Sequence, residues 1–130
     1  MSNDVPNELR YTKEHEWARV DGKLVTVGIT QFAVEQLGDI TQVELPREGE
    51  SVAKGAVFGS VESVKAVSDL FSPCSGKVAK TNDPLRDSPE TLNEDCYDEG
   101  WMIQVELANP AELDELMTAE QYEEFLREHS

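Results

Sequence analysis

Residues 59–76 read GSVESVKAVSDLFSPCSG, and the punctuation of this stretch decides the fold. Strand-like runs at 57–63 and 66–70 flank Ser63, Val64, Lys65 and Ala66, and a Ser-Pro-Cys-Ser-Gly cluster separates them from another run at 76–79. Short runs bounded by such clusters are strand signals, so the stretch is read as a hairpin with Lys65 at its tip. The bend has neither Asn-Gly nor Asp-Gly, and Val64 and Ala66 put small apolar groups where polar residues are the rule. A surface lysine is ordinarily just a solvated charge. Here the residues around one lysine look chosen for something other than turn propensity. A tight hairpin presents a single amine without the entropic cost of ordering a loose loop, which suits acylation of Lys65 by a modifying enzyme.

Outward from this hairpin the same signals recur. Runs at 16–20 and 23–27 are joined by Asp21 and Gly22, a dipeptide suited to a tight turn. Thr30 is placed to cap a short helix carrying Ala33, Val34 and Leu37, and Gly38 stands where a C-terminal glycine belongs. With further runs at 40–45 and 101–107, many short strands at close spacing predict a sandwich or barrel. The chain then changes period over a helical segment, 110–128. Asn109, Pro110 and Glu112 open one helix whose face holds Leu113, Leu116 and Met117. Thr118 with Gln121 opens a second carrying Tyr122, Phe125 and Leu126, so two short helices with a break near Thr118 are expected to cover the β core.

Composition bounds the rest. At 130 residues, one domain spanning 1–130 is expected. No apolar run is long enough to cross a bilayer, and the polar start at 1–10 resembles neither a signal nor a transit peptide. Eleven Lys and Arg against 27 Asp and Glu give 11 − 27 = −16, a field that repels nucleic acid and anionic membranes. The acidity either keeps the chain soluble or steers it to basic patches on partner proteins. Cys74 and Cys96, with only His15 and His129 to help, lack the spacing of a zinc site, and two isolated cysteines are more often buried hydrophobes than nucleophiles.

The motif ESVKA at 62–66, followed by Val67, Ser68, Asp69, Ser72, Pro73, Ser75 and Gly76, resembles the lipoylation site of glycine cleavage H proteins. The likeness extends to YTKEHEW at 11–17, VGIT at 27–30, LGDI at 37–40, VELP at 43–46 and GWM at 100–102, and so covers nearly the whole chain. Biotinyl domains usually flank their lysine with methionines, and the lipoyl domains of 2-oxoacid dehydrogenases usually place Asp before it; Val64 and Ala66 match neither. The resemblance implies a mainly β fold, two antiparallel sheets in a flattened barrel-sandwich hybrid of the lipoyl/biotinyl type, with short helices including C-terminal ones. It implies lipoate in amide linkage on Lys65, with Glu62, Val64 and Ala66 completing the attachment motif, and Glu16 and Asp69 in a cleft that receives the arm. Lysine and acyl chain together span about ten single bonds, a reach on the order of 10 to 15 Å.

The implied protein is a carrier and not an enzyme. It takes an aminomethyl group from pyridoxal-phosphate glycine decarboxylase to a tetrahydrofolate-dependent aminomethyltransferase, is reoxidised by dihydrolipoyl dehydrogenase, and is charged by lipoylating enzymes. It is expected in the cytoplasm, or in the mitochondrial matrix if the chain is a mature eukaryotic one. The alternative is a lipoyl donor or reservoir for 2-oxoacid dehydrogenase complexes. Two departures from the family pattern are Cys74, where an aliphatic residue is common, and Cys96, where proline is common.

Overall fold

The structure, a computed structural model, describes residues 6–129, so the first half of the polar start lies outside the described residues. Nine strands form two antiparallel sheets among them. The larger is built from β1 (Arg10–Tyr11), β2 (Glu16–Asp21), β3 (Leu24–Ile29), β5 (Ser51–Val52), β8 (Gly76–Thr81) and β9 (Ile103–Leu107), in the order β1-β2-β3-β9-β8-β5. The smaller is β4 (Ile40–Glu44), β6 (Val57–Ser63) and β7 (Val67–Phe71), in the order β4-β6-β7. Val25, Val27, Val78, Ile103 and Val105 of the first sheet meet Val43, Val61 and Leu70 of the second in one buried cluster. This is the expected barrel-sandwich of two antiparallel sheets.

The first hairpin forms as expected, with one change. Asp21 pairs with Leu24, so the two turn residues are Gly22 and Lys23, not Asp21 and Gly22. Only Gly22 has positive φ, at 64°, which is the requirement of a II′ turn; a I′ turn needs positive φ at both positions. The short helix α1 (Gln31–Leu37) also forms where read: Thr30 accepts from the Ala33 N–H, and the Gly38 N–H closes the helix on the Val34 carbonyl at φ 80°. Two one-turn helices, α2 (Pro84–Asp87) and α3 (Thr91–Glu94), were not expected. Each puts one leucine into the core, Leu85 and Leu92.

The C-terminal segment breaks near Thr118, as the period change requires, but its first half is a 3-10 helix, Pro110–Glu115. Leu113, Leu116 and Met117 therefore do not share one α-helical face. Leu116 is extended and packs with Leu113 on the main core, while Met117 bridges Tyr11 and joins a second cluster. That cluster holds Leu9, Tyr11, Trp17, Ala119, Tyr122 and Leu126 and docks α4 (Ala119–His129) on β1 and β2. The Tyr11 and Tyr122 rings stack at 4.7 Å between centroids.

Candidate functional site

Glu62 pairs with Val67 across β6 and β7, leaving Ser63 to Ala66 as the bend. Ser63 provides the turn chemistry that no Asn-Gly supplies. Its N–H donates to the Ala66 carbonyl at 2.8 Å, and its hydroxyl oxygen accepts from the Lys65 and Ala66 N–H groups at 3.1 Å each. This serine turn corrects the sequence reading: turn propensity does shape the bend, through a side-chain hydroxyl. With the backbone tied in this way, Val64 and Val67 stay 68% and 66% exposed, far outside the range of core valines. Lys65 and Ala66 are exposed too. Glu62 is half-buried, its carbonyl accepting from the Thr41 hydroxyl. Lys65 takes part in neither of the two salt bridges found among the described residues.

The tip leans on the turn between α1 and β4. The Val64 N–H donates to the Asp39 carbonyl at 3.1 Å. A Cβ on Gly38 would stand 3.7 Å from Lys65 Cε, so the lysine stem runs beside bare glycine backbone. A Lys65 amine reaching past a fixed support, with no salt bridge among the described residues to displace, fits acylation: attaching an acyl group there removes a charge without orphaning a described partner.

The two carboxylates expected beside the arm lie in different surroundings. Asp69 is exposed on β7, opposite Ser60. Glu16 is 1% exposed, and its carboxylate accepts from the Thr12 hydroxyl at 2.7 Å and from the Phe71 N–H at 3.1 Å. Of the two, only Asp69 presents its carboxylate to solvent. The cause is local: His15 takes φ 73°, the Thr12 N–H bonds the Glu16 carbonyl, and the tight loop turns residue 16 inward. Glu16 thus clasps the end of β7 to β2, joining the two sheets.

Burial pushes the Glu16 carboxyl up to about 7, against hydrogen bonds from Thr12 and Phe71 that pull it down. The folded chain then holds this proton to higher pH than the unfolded chain does. Its contribution is fully present below about pH 4.5 and is lost as pH rises through 7, a span worth about 3 kcal/mol. Burial lowers the His15 pKa, which gives the opposite slope, so the wild type alone does not isolate Glu16. The expected result is that Glu16→Gln, an isostere of the protonated acid, gains stability relative to wild type between pH 5 and 8. Urea unfolding at both pH values checks it, and an unchanged difference would refute the assignment.

The cysteines are not a nucleophilic site. Cys74 is fully buried and its thiol is pushed up to about 12 by burial; Cys96 is buried, its thiol donating to Gln31 Oε1 at 3.6 Å. His15 instead meets the Tyr122 hydroxyl at 2.7 Å, and that hydroxyl meets Thr30 at 2.8 Å, fastening α4 beside β2. One site residue escaped the sequence reading. Asn93 on α3 donates from Nδ2 to the Gly38 carbonyl and accepts from the Ile40 N–H at Oδ1, both at 2.9 Å, and so holds the turn beneath the tip.

A family profile described as "Glycine cleavage H-protein" matches residues 9–129. The chain belongs to the glycine cleavage H-protein family. It is 58% identical over 125 residues to a glycine cleavage system H protein of Anaeromyxobacter sp., covering 96% of this chain and 98% of that one. It is 54% identical over 124 residues to one from Staphylococcus saprophyticus, covering 95% and 98%. The crystal structure of a glycine cleavage system H protein from Mycobacterium marinum superposes with a TM-score of 0.85 at 39% identity, covering 96% of this chain and 98% of that chain. Family and fold therefore agree with the resemblance that the sequence motifs carry.

Proposed function

We propose that this chain is the lipoyl-lysine carrier of the glycine cleavage system, with lipoate in amide linkage on Lys65. The observation that carries this is the tip itself: an exposed lysine, in no salt bridge among the described residues, on a bend locked by the Ser63 hydroxyl, within a member of the H-protein family. When bound, lipoate supplies a disulfide that can accept an aminomethyl group and be regenerated by oxidation of the dithiol. The chain's own residues present and shield. The hairpin presents the attachment point at the surface against the turn at 38–40, and exposed Val64 and Val67 give an apolar arm compatible surface at its root. Asp69, exposed on the strand leaving the tip, can hold a protonated amine by a charge-assisted hydrogen bond. Glu16 supports the site from within, by fixing the far end of β7.

On this reading the whole chain is one lipoyl-bearing unit without catalysis of its own. Its partners are glycine decarboxylase, the folate-dependent aminomethyltransferase, dihydrolipoyl dehydrogenase and the lipoylating enzymes. Intact-mass analysis with peptide mapping tests the assignment: one lipoyl adduct on Lys65 supports it, and full glycine-cleavage activity of an unmodified chain sinks it. The charge of −16 adds a kinetic expectation. Association with the decarboxylase slows as salt rises while dissociation changes little, because rim charges act on encounter. Stopped-flow association rates that stay flat with salt would leave the acidity as a solubility feature.

A further inference from the structure

We infer that Asn93 is a positioning residue for acylation of Lys65, acting through the turn at 38–40 on which the hairpin tip rests. The inference depends on Lys65 being the acylated residue. The tip is held internally by Ser63, but that bracing fixes only its shape. Beyond the Ile40–Ser63 pairing of β4 with β6, the Val64 N–H bonds the Asp39 carbonyl, and this ties the outer part of the bend to the turn at 38–40. Together with the strand ladder, the direction of that carbonyl fixes where the tip, and its lysine, point.

Asp39 lies between the two groups that Asn93 grips. The Asn93 carboxamide donates to the carbonyl just before Asp39 and accepts from the N–H just after it, each at 2.9 Å. Both peptide planes flanking Asp39 are thereby fixed by one planar group that is donor and acceptor at once, an arrangement neither carboxylate nor methyl can copy. Gly38, with φ 80°, is a conformation that would otherwise drift, so the clamp acts where backbone preference is weakest. Asn93 is in turn anchored, because its neighbour Leu92 is fully buried in the main core. The line of support runs from core to α3, to the Asn93 amide, to the 38–40 turn, to Val64 and Lys65. The lysine stem lies over the same glycine, with Val64 Cγ2 3.8 Å and Lys65 Cε 3.7 Å from where its Cβ would be.

In acylation the Lys65 nitrogen attacks the carbonyl carbon of an activated acyl donor, a mixed anhydride or thioester. The new C–N bond forms, the bond to the leaving group breaks with its electron pair, and the original ammonium sheds two protons. An enzyme that must align this nitrogen with a bound acyl carbon is sensitive to a tip that swings, since a small misplacement of reacting groups costs much rate. A small reagent in free solution is not.

The experiment compares wild type, Asn93→Ala and Asn93→Asp as full-length apo chains, with Val78→Ala as a control that loses core packing in the larger sheet. All are assayed where each is folded. Expected for both Asn93 variants is a fall of about tenfold or more in kcat/KM for enzymatic lipoylation, the scale of a misaligned nucleophile. Labelling of Lys65 by a small amine-reactive ester should stay within about twofold of wild type, because the amine is exposed throughout. Val64 amide exchange should speed up in both variants and not in Val78→Ala. Should Asn93→Ala fail to fold, Asn93→Asp keeps the acceptor for the Ile40 N–H and replaces the donor to the Gly38 carbonyl with a carboxylate oxygen. Wild-type lipoylation kinetics in a folded Asn93 variant, or unchanged Val64 exchange, would overturn the inference while leaving Lys65 as the lipoyl site. A wild-type chain that is never acylated on Lys65 would instead overturn the carrier reading, and this inference with it.

Discussion

Lys65→Arg is expected to abolish lipoylation and bring glycine-cleavage activity to background while leaving the fold intact. Arginine keeps the positive charge and much of the stem that runs beside Gly38, but its guanidinium stays protonated and cannot become the amide nitrogen. The ammonium it replaces makes neither of the described salt bridges, and the bend is closed by backbone groups and the Ser63 hydroxyl, which the substitution leaves in place. Stability should therefore move by less than about 0.5 kcal/mol, as for most exposed positions. Intact mass reads the adduct, a coupled glycine decarboxylation assay reads the activity, and a urea titration reads the fold. A variant that still gains a lipoyl adduct, or that turns over glycine near the wild-type rate, would remove Lys65 from its role.

The tip was legible because its signals are local: two strand-like arms, a bend, and a motif of five residues around one lysine. The Gly22 turn and the Thr30 to Gly38 helix were legible for the same reason, each carrying its start or stop residue within a few positions. What escaped depends on distance. β1 and β5 are two residues long and exist because a distant strand pairs with them, so no period marks them. The clamp by Asn93 joins groups 53 and 55 positions apart, and nothing in TLNED distinguishes it from a loop asparagine. α2 and α3 sit among Pro, Asp and Asn that read as turns, with their leucines as the only sign that each is pinned to the core. The burial of Glu16 escaped for a different reason. Among 27 carboxylates an acid reads as surface, whereas the loop beginning at Thr12 folds this one inward and meets it with donors.

Gly76→Ala is expected to destabilise the chain heavily, although its position is an ordinary strand residue by sequence. Gly76 pairs with Leu107 on one side and Val52 on the other, inside the larger sheet. A Cβ there would run into the Glu106 carbonyl oxygen and stand 2.9 Å from Val105 Cγ1. The first of these is backbone, held by the ladder, and cannot turn aside as a side chain would. The chain next to Gly76 is fixed as well: the Ser75 N–H and hydroxyl both donate to Glu112, at 2.7 and 2.9 Å, and the Ala108 N–H donates to the Ser75 carbonyl. Relief must come from parting β8 and β9, so the cost should be on the order of 3 kcal/mol, the upper range for overpacking. That corresponds to a fall in Tm of about 10 °C for a chain of this size. Gly22 provides the contrast, since nothing lies within 4 Å of its Cβ position and only its φ of 64° resists a side chain. Gly22→Asn, a residue that tolerates this backbone region, should therefore cost less than about 1 kcal/mol. Calorimetry on the two variants separates lack of room from lack of conformational freedom, and a Gly76→Ala chain melting within a few degrees of Gly22→Asn would show that β8 and β9 are not in the close contact described.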